Sequence, residues 1–382
     1  MSIEFEVQRP FYSLFTPEIT AQSVESVTES KLRKSIKLGA EWIANMQEES
    51  GRFNYWFDPS TGDYSIKTDD NFLRQAGTCF SLITAADFLD DSVLLNVAKK
   101  SLVYLDSFRR DKGPDSSYYL FERKAKLGGI ALPMLAMLEL KKISGDTSND
   151  VKLKSLANMI LYLQDQYGTG QYKSTYVYRG DFEYEKTRNW ESDIYPGEAM
   201  LALAGMYVAF KDPKYLKSLD AAFNYYSAGG NWKAYPFIPW TVSAFTMLYL
   251  ETHDQKYATF VFKMIERMLY RQNLDPEDGV FYGSFDGLPT VFTSTSMEAL
   301  GDAIRLADAL EDKEKSKRYR SRALIAYKWL IHLQYSELDV KNGQPQASLG
   351  GFKTSLVEPK VRIDNTQHAI SALMKGVKFT LN

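Results

Sequence analysis

Apolar residues recur at i, i+3, i+4 and i+7 from about residue 31 onward, the signature of helices with a buried face. Two kinds of segment alternate. The first is amphipathic and strongly charged, over 30–47, 92–108, 150–166, 213–227, 254–272 and 314–334. The second is apolar almost all round and rich in small residues, over 71–88, 126–140, 196–210, 236–250, 295–310 and 364–379. A helix with one wet face belongs at a surface, and a helix with none must be buried on most sides. Wet and buried segments in strict alternation predict two concentric rings, an all-α (α/α)6 toroid of six helical hairpins. Two separate bundles would supply as many helices but no reason for the alternation.

The links give the toroid a polarity. Those from a buried helix to the next wet one are short (LDDS, SGDTS, KDP, THD), whereas those from a wet helix to its buried successor span 48–69, 109–125, 167–194, 228–235, 273–293 and 335–361. Long connections with recognisable content are often functional. All of them gather at the end where the inner helices begin, with unpaired N–H groups and positive dipole ends. Any site is expected there. Residues 1–30 are not clearly helical and are expected to pack as an extended segment against a single catalytic toroid over 31–382.

Two inner-helix entrances repeat one layout. TDDNFLRQAG (68–77) places Asp70 before Asn71 and Arg74 four residues after the aspartate; RIDNTQHAIS (362–371) places Asp364 before Asn365 and His368 four residues on. Residues four apart share a helix face. In a closed ring the first and last inner helices are neighbours, so Asp70, Arg74, Asp364 and His368 are expected to converge, with Arg362 and Gln367 beside them. The aspartates alone would suit helix N-termini; a cation inside a buried ring is not explained that way.

The long loops carry Tyr55, Trp56, Tyr118, Tyr119, Trp190, Trp232, Tyr235, Trp240 and Tyr282. Such rings offer a flat apolar face and a hydrogen-bonding edge, which suits a sugar; they also serve to pack loops as short β-hairpins. In NWESDIYPGEAML (189–201), Pro196 reads as a first-turn proline and Glu198 as a capping residue. Glu191 and Asp193, beside Trp190 and Tyr195, are left for chemistry. A carboxylate next to aromatics keeps its proton to higher pH, as a general acid must. A second carboxylate across the cavity, Asp70 or Asp364, would complete the pair used in glycoside hydrolysis. Of the three histidines, only His368 is placed for catalysis. Glu298, near the start of the fifth inner helix, is shallow enough to reach the cavity, and the deeper Asp302 needs a cationic partner.

Composition narrows the classes. The chain has 382 residues and a formal net charge of −2, so no global field draws it to nucleic acid or anionic lipid. The lone cysteine, Cys79, excludes an internal disulfide framework and a Cys-rich zinc site. There is no glycine-rich phosphate loop between strand and helix and no HExxH, so no cofactor and no metal is expected. MSIEFEVQRP shows no secretory signal, and the longest charge-free apolar stretch, 128–138, is too short to span a bilayer. A cytoplasmic enzyme with a small-molecule or oligosaccharide substrate is the expectation.

Over residues 31–379 the chain resembles the six-hairpin glycosidase superfamily. The resemblance implies a cavity site at the long-loop end, built from acids, aromatic platforms and, in its epimerase-like branch, histidines and arginines near inner-helix N-termini. By position, Asp70, Arg74, Asp193, Asp364 and His368 fill such places. Unsaturated glucuronyl hydrolases and N-acylglucosamine 2-epimerases are similar in length and single-domain build; the single available histidine weighs against epimerisation. Terpene cyclases are the competing toroid class, marked by repeated Gln-x-x-x-Gly-x-aromatic segments. QEESGRF (47–53) fits that spacing, QDQYG (164–168) half of it, and no DxDD motif is present. A toroid that only binds a glycan or peptide is a third alternative. The expected function is a carbohydrate-active glycoside hydrolase. Its catalytic candidates are Asp70, Asp193, Asp364, His368 and Glu191. Its substrate-binding candidates are Arg74, Trp190, Tyr195, Trp240, Tyr282, Glu298, Arg362, Gln367 and Trp56. A sugar epimerase or polysaccharide lyase using His368 is the alternative enzyme.

Overall fold

The computed structural model describes residues 27–179, 182–184, 191–278, 281–286 and 290–381. The outer helices are α1 (Glu29–Asn45), α3 (Ser92–Asp106), α5 (Asp150–Asp165), α7 (Pro213–Ser227), α9 (Gln255–Leu269) and α11 (Lys313–Ile331). The inner helices are α2 (Phe72–Leu89), α4 (Leu127–Ser144), α6 (Tyr195–Phe210), α8 (Ile238–Thr252), α10 (Thr290–Ala309) and α13 (Ile363–Lys375). A short α12 (Glu337–Lys341) lies in the last long connection. Inner helices pack in the order α2, α4, α6, α8, α10, α13, and α13 returns to α2, which closes the ring. The fold is the expected (α/α)6 toroid. Each outer helix packs on the inner helix that precedes it, and α1 packs on α13, so the ring is zipped by its first and last helices.

The short links owe their tightness to a repeated local device. Inner helices α2, α6, α8 and α10 are followed by a left-handed residue, Asp90, Lys211, His253 and Glu311 in turn. An aspartate then caps the next outer helix: Asp91 accepts from Val93 N at 2.9 Å, Asp212 from Lys214 N at 3.0 Å, Asp254 from Lys256 N at 3.1 Å and Asp312 from Lys315 N at 3.0 Å. Each such cap is worth about 1 kcal/mol.

The long-loop end is fastened by a different device, repeated four times. A glutamine at the end of an outer helix donates to a glycine carbonyl in the following loop and to a backbone carbonyl of the neighbouring outer helix. Gln47 reaches Gly51 O and Val97 O, Gln164 reaches Gly170 O and Ser218 O, Gln272 reaches Gly283 O and Arg322 O, and Gln334 reaches Gly350 O and Ser35 O, at 2.8–3.3 Å. The four glycines have φ of +91°, +94°, +97° and +90°, a conformation that L side chains rarely adopt. Their missing Cβ atoms would stand 2.1–2.6 Å from a carbonyl oxygen of that neighbouring helix. Two residues later comes an aromatic ring: Phe53, Tyr172, Phe285 and Phe352, all buried. Side chains at the inner entrances then hold this backbone, with Gln75 accepting from Phe53 N at 2.8 Å, Thr293 from Phe285 N at 2.9 Å and Thr366 from Phe352 N at 3.2 Å. The sequence spacing showed only the first of these clasps in full, because the glycine lies 4, 6, 11 and 16 residues after the glutamine.

Strands at the same end are short. Val361–Arg362 pairs antiparallel with Trp56–Asp58, which pairs with Asp63–Tyr64, so the loops before α2 and before α13 share one sheet. Helix α10 begins at Thr290, several residues before the expected 295, because its first turn is rich in Thr and Ser, which read as non-helical. Among the described residues no helix is long and apolar enough to cross a membrane. Most of the expected N-terminal segment 1–30 lies outside the described residues.

Candidate active site

The two paired entrances do meet. Asn71 caps α2, accepting from Leu73 N at 3.2 Å and Arg74 N at 3.4 Å, which fixes Arg74 in the first turn. The strand at 361–362 leads into α13, where Ile363 N donates to Tyr55 O at 3.0 Å and aims Asp364 into the ring. Arg74 Nε lies 3.2 Å from Asp364 Oδ2. Arg362 grips both oxygens of the same carboxylate, one at 2.9 Å. Asp364 is wholly buried; burial pushes its carboxyl up, but Arg74 and Arg362 pull it further the other way, so it stays ionised below the ordinary range. Arg74 remains a third exposed toward the mouth, with Tyr55 beside it.

Glu198 sits opposite, one turn into α6. It is 4% exposed and its Oε2 has no hydrogen-bond partner among the described residues. Gly128 of the KLGG turn makes its room, since a Cβ there would lie 1.9 Å from Glu198 Oε2 and 3.0 Å from the Tyr195 ring. Burial pushes the Glu198 carboxyl up to about 7, and the opposing pull of Arg74 and His368 does not cancel this. It is a buried carboxyl beside the Tyr195 ring, with Arg74 and His368 as its nearest basic neighbours.

The third element is a dyad. His368 Nδ1 lies 3.1–3.2 Å from both oxygens of Glu298 on α10. Thr78 on α2 donates to Gln367 Oε1 at 2.6 Å, which turns the Gln367 amide nitrogen toward His368 Nε2 at 3.4 Å. A carboxylate on Nδ1 and an amide donor at Nε2 select the tautomer with its proton on Nδ1 and a lone pair on Nε2. Trp240 stands edge-on to the imidazole at 6.0 Å. Asp302 finds the cation it needed: Lys375 Nζ lies 2.6 Å away and also donates to Glu298 O at 3.1 Å, tying α13 to α10 beneath the dyad.

Other candidates go elsewhere. Asp70 precedes the helix in an extended conformation and turns outward, accepting from Tyr104 OH at 2.9 Å, Gln75 Nε2 at 2.8 Å and Asn71 N at 2.8 Å. The expected convergence of Asp70 with Asp364 does not occur. Glu191 accepts from Ser174 N at 2.6 Å and from Tyr167 OH, so it pins a loop, and Asp193 is exposed at the surface. Tyr282 lies in the turn that Gly283 presses onto α11, and Trp56 is covered by Lys360 at 4.3 Å on the sheet next to Arg362. Trp190 lies outside the described residues. The residue that sequence reasoning missed is Glu198. Its capping assignment fails, because α6 has no side-chain cap. The available signal was an acid inside a helix otherwise apolar all round, facing the GG pair of α4.

Among the described residues no three His, Cys, Asp or Glu gather as metal ligands would. No protein-family profile matches the sequence, and no curated protein matches it. Solved structures do match in fold. The GH76A α-1,6-mannanase from Salegentibacter sp. HEL1_6 superposes with a TM-score of 0.64 at 12% identity, covering 92% of this chain and 100% of that one. An unsaturated glucuronyl hydrolase specific for heparin gives 0.65 at 12%, covering 93% and 100%. Cellobiose 2-epimerase from Bacillus thermoamylovorans B4167 gives 0.67 at 12%, covering 90% and 98%. The chain thus has the six-hairpin glycosidase-like fold.

Proposed function

We propose that this chain is a carbohydrate-active enzyme working by acid/base catalysis between Glu198 and the His368–Glu298 dyad. The observation that carries the reading is the buried, unpartnered Glu198 carboxyl held near neutrality, facing the ring interior. Neighbours in fold that include hydrolases and an epimerase of sugars support the substrate class.

The favoured reaction is glycoside hydrolysis, with the expected carboxyl acid now Glu198. Glu198 gives its proton to the glycosidic oxygen as the bond to the anomeric carbon breaks. His368 Nε2 takes a proton from water as its oxygen attacks that carbon, and Glu298 stabilises the imidazolium. Arg74 and Arg362, organised by Asp364 and helped by the converging helix N-termini, favour an anionic sugar such as a uronate. A second reading is favoured by the lone pair at His368 Nε2: removal of the proton on the carbon next to a sugar carbonyl, with Glu198 moving the hydroxyl proton, as in epimerisation.

The test is to incubate acidic and neutral oligosaccharides with the protein in heavy water and follow them by proton NMR. Hydrolysis releases a new reducing end; epimerisation washes deuterium into the carbon-bound position. Glu198→Gln and His368→Asn are expected to lose either signal by at least a hundredfold while melting normally. Retention of wild-type turnover by both variants overturns the proposal.

A further inference from the structure

The rim of the mouth carries a turn in a conformation that its residues disfavour. Glu122 and Arg123 have φ of +51° and +62°. Phe121 N donates to Lys124 O at 3.1 Å and Lys124 N to Phe121 O at 3.0 Å, which makes a two-residue hairpin loop with both residues left-handed. Such a loop ordinarily takes glycine, asparagine or aspartate, and strain of this kind gathers where ligands are held. Phe121 seats the turn, its ring 6.1 Å from Phe72, the first residue of α2, and 5.5 Å from Phe108. The strand that follows, Lys124–Lys126, pairs antiparallel with Thr175–Arg179, and Leu127 N donates to Ser174 O at 2.9 Å. Glu191 grips Ser174 N in turn. Lys126 is thus delivered on a fixed backbone to the start of α4, two residues before the Gly128 that makes room for Glu198.

Lys126 is half-buried, and its amine has no hydrogen bond or ion pair among the described residues. Burial pushes the amine below the usual lysine range; Glu122 pulls it back, and Lys124 and Arg74 push it further down. A half-buried cation set among cations is unfavourable until an anion meets it. Arg74 and Arg362 are placed differently, because Asp364 engages both. Lys126 and Lys124 line a crevice of about 40 Å3 with Asn71 and Leu73, just ahead of Arg74. On this measure one water takes about 10–15 Å3, so the crevice admits about three heavy atoms, the size of a carboxylate and not of a sugar ring. Two acids border it: Glu122 is exposed, and Asp70 already accepts from Tyr104, Gln75 and Asn71.

We propose that Lys126 is the specificity-determining residue of the candidate site, and that with Arg74 it holds the carboxylate of a uronic-acid unit. The proposal rests on the reading of the site as sugar-processing. Arg74 is a third exposed toward the mouth, so its guanidinium can share the ligand. One free lysine and one arginine already engaged by an aspartate match a single negative charge; a phosphate dianion would call for more donors.

Equilibrium dialysis of the full chain against radiolabelled D-glucuronate and D-galacturonate tests this, each beside D-glucose or D-galactose, its neutral counterpart without the carboxyl. Melting curves check that each variant folds, and Lys126→Gln replaces Lys126→Met should the latter melt early. The wild type is expected to bind at least one uronate about tenfold tighter than its counterpart, the scale of a hydrogen bond to a charged group. Lys126→Met is expected to cut that ratio about tenfold, and Lys126→Arg to restore most of it. Two results overturn the proposal. One is a wild type that prefers neither uronate, or binds neither. The other is a Lys126→Met chain that keeps the wild-type ratio, even with both affinities lowered, which makes Lys126 structural. Tighter binding of glucose 6-phosphate than of glucuronate overturns the carboxylate class. Turnover of Glu198→Gln, measured separately, decides the acid/base reading, because the ratio of affinities does not depend on that proton.

Discussion

The outer wall and the inner rim of this toroid solve opposite problems with the same elements. On the outer wall, glutamines and glycines fasten helix to helix, and each glutamine amide nitrogen in a clasp donates to two backbone carbonyls. On the inner rim, Asp364 is satisfied twice over by arginines, while Glu198 three helices away is buried with an oxygen left unpaired. The difference teaches where to look. Satisfied buried polar groups make structure, whereas an unpaired carboxyl at the inner rim, held at its own cost, is where chemistry is to be sought.

That contrast breaks first on Glu198. Glu198→Gln should cost a hundredfold to ten-thousandfold in turnover, on the general-acid scale, without lowering the melting temperature at neutral pH. An equal loss of fold and activity would make Glu198 a structural residue. The clasps should do the reverse. Gly170→Ala and Gly350→Ala add a Cβ 2.2 and 2.1 Å from a backbone oxygen at a positive φ, so each should destabilise by about 2–4 kcal/mol in urea unfolding. Gly62→Ala is the control: its φ is also positive, at +79°, but nothing lies within 4 Å, so it should cost about 1 kcal/mol. Equal costs at both kinds of site would show that backbone strain alone, not the clasp, is being measured.

A smaller effect sharpens the same line. Burial raises the folded Glu198 carboxyl from 4.5 to about 7, so between those values the folded chain binds a proton that the unfolded chain has released. Stability should therefore fall as pH rises through that window, by up to about 3 kcal/mol, and Glu198→Gln should flatten the slope. The mildest change is expected at Asp70→Asn and Glu191→Gln. Both residues hold loops, so each should lose about 1 kcal/mol of stability and less than threefold in turnover. A hundredfold drop at Asp70 would return the chemistry to the outward-facing carboxylate.

The alternation of wet and dry helices made the ring legible, and ring closure brought Arg74 to Asp364 as expected. The i,i+4 argument held for Asp364 and His368 because α13 begins at Ile363, ahead of both. It failed for Asp70 because α2 begins at Phe72, so helical periodicity does not reach back to the aspartate. Glu198 was hidden by Pro196, whose first-turn placement invites a capping role for the next acid. The Gln–Gly clasps were hidden by loops of unequal length inserted between the two residues, which erase a spacing that the folded backbone restores. His368 and Glu298 were each legible, but their partnership required the last inner helix to lie against the fifth.

The central claim is that burial lets an acid at the inner rim keep its proton up to about neutral pH. Carboxyl carbon NMR on glutamate-labelled protein, with Glu198→Gln to assign the resonance, measures this directly. The account predicts a titration midpoint for Glu198 close to 7. A midpoint near the ordinary glutamate value of about 4.3 would contradict it.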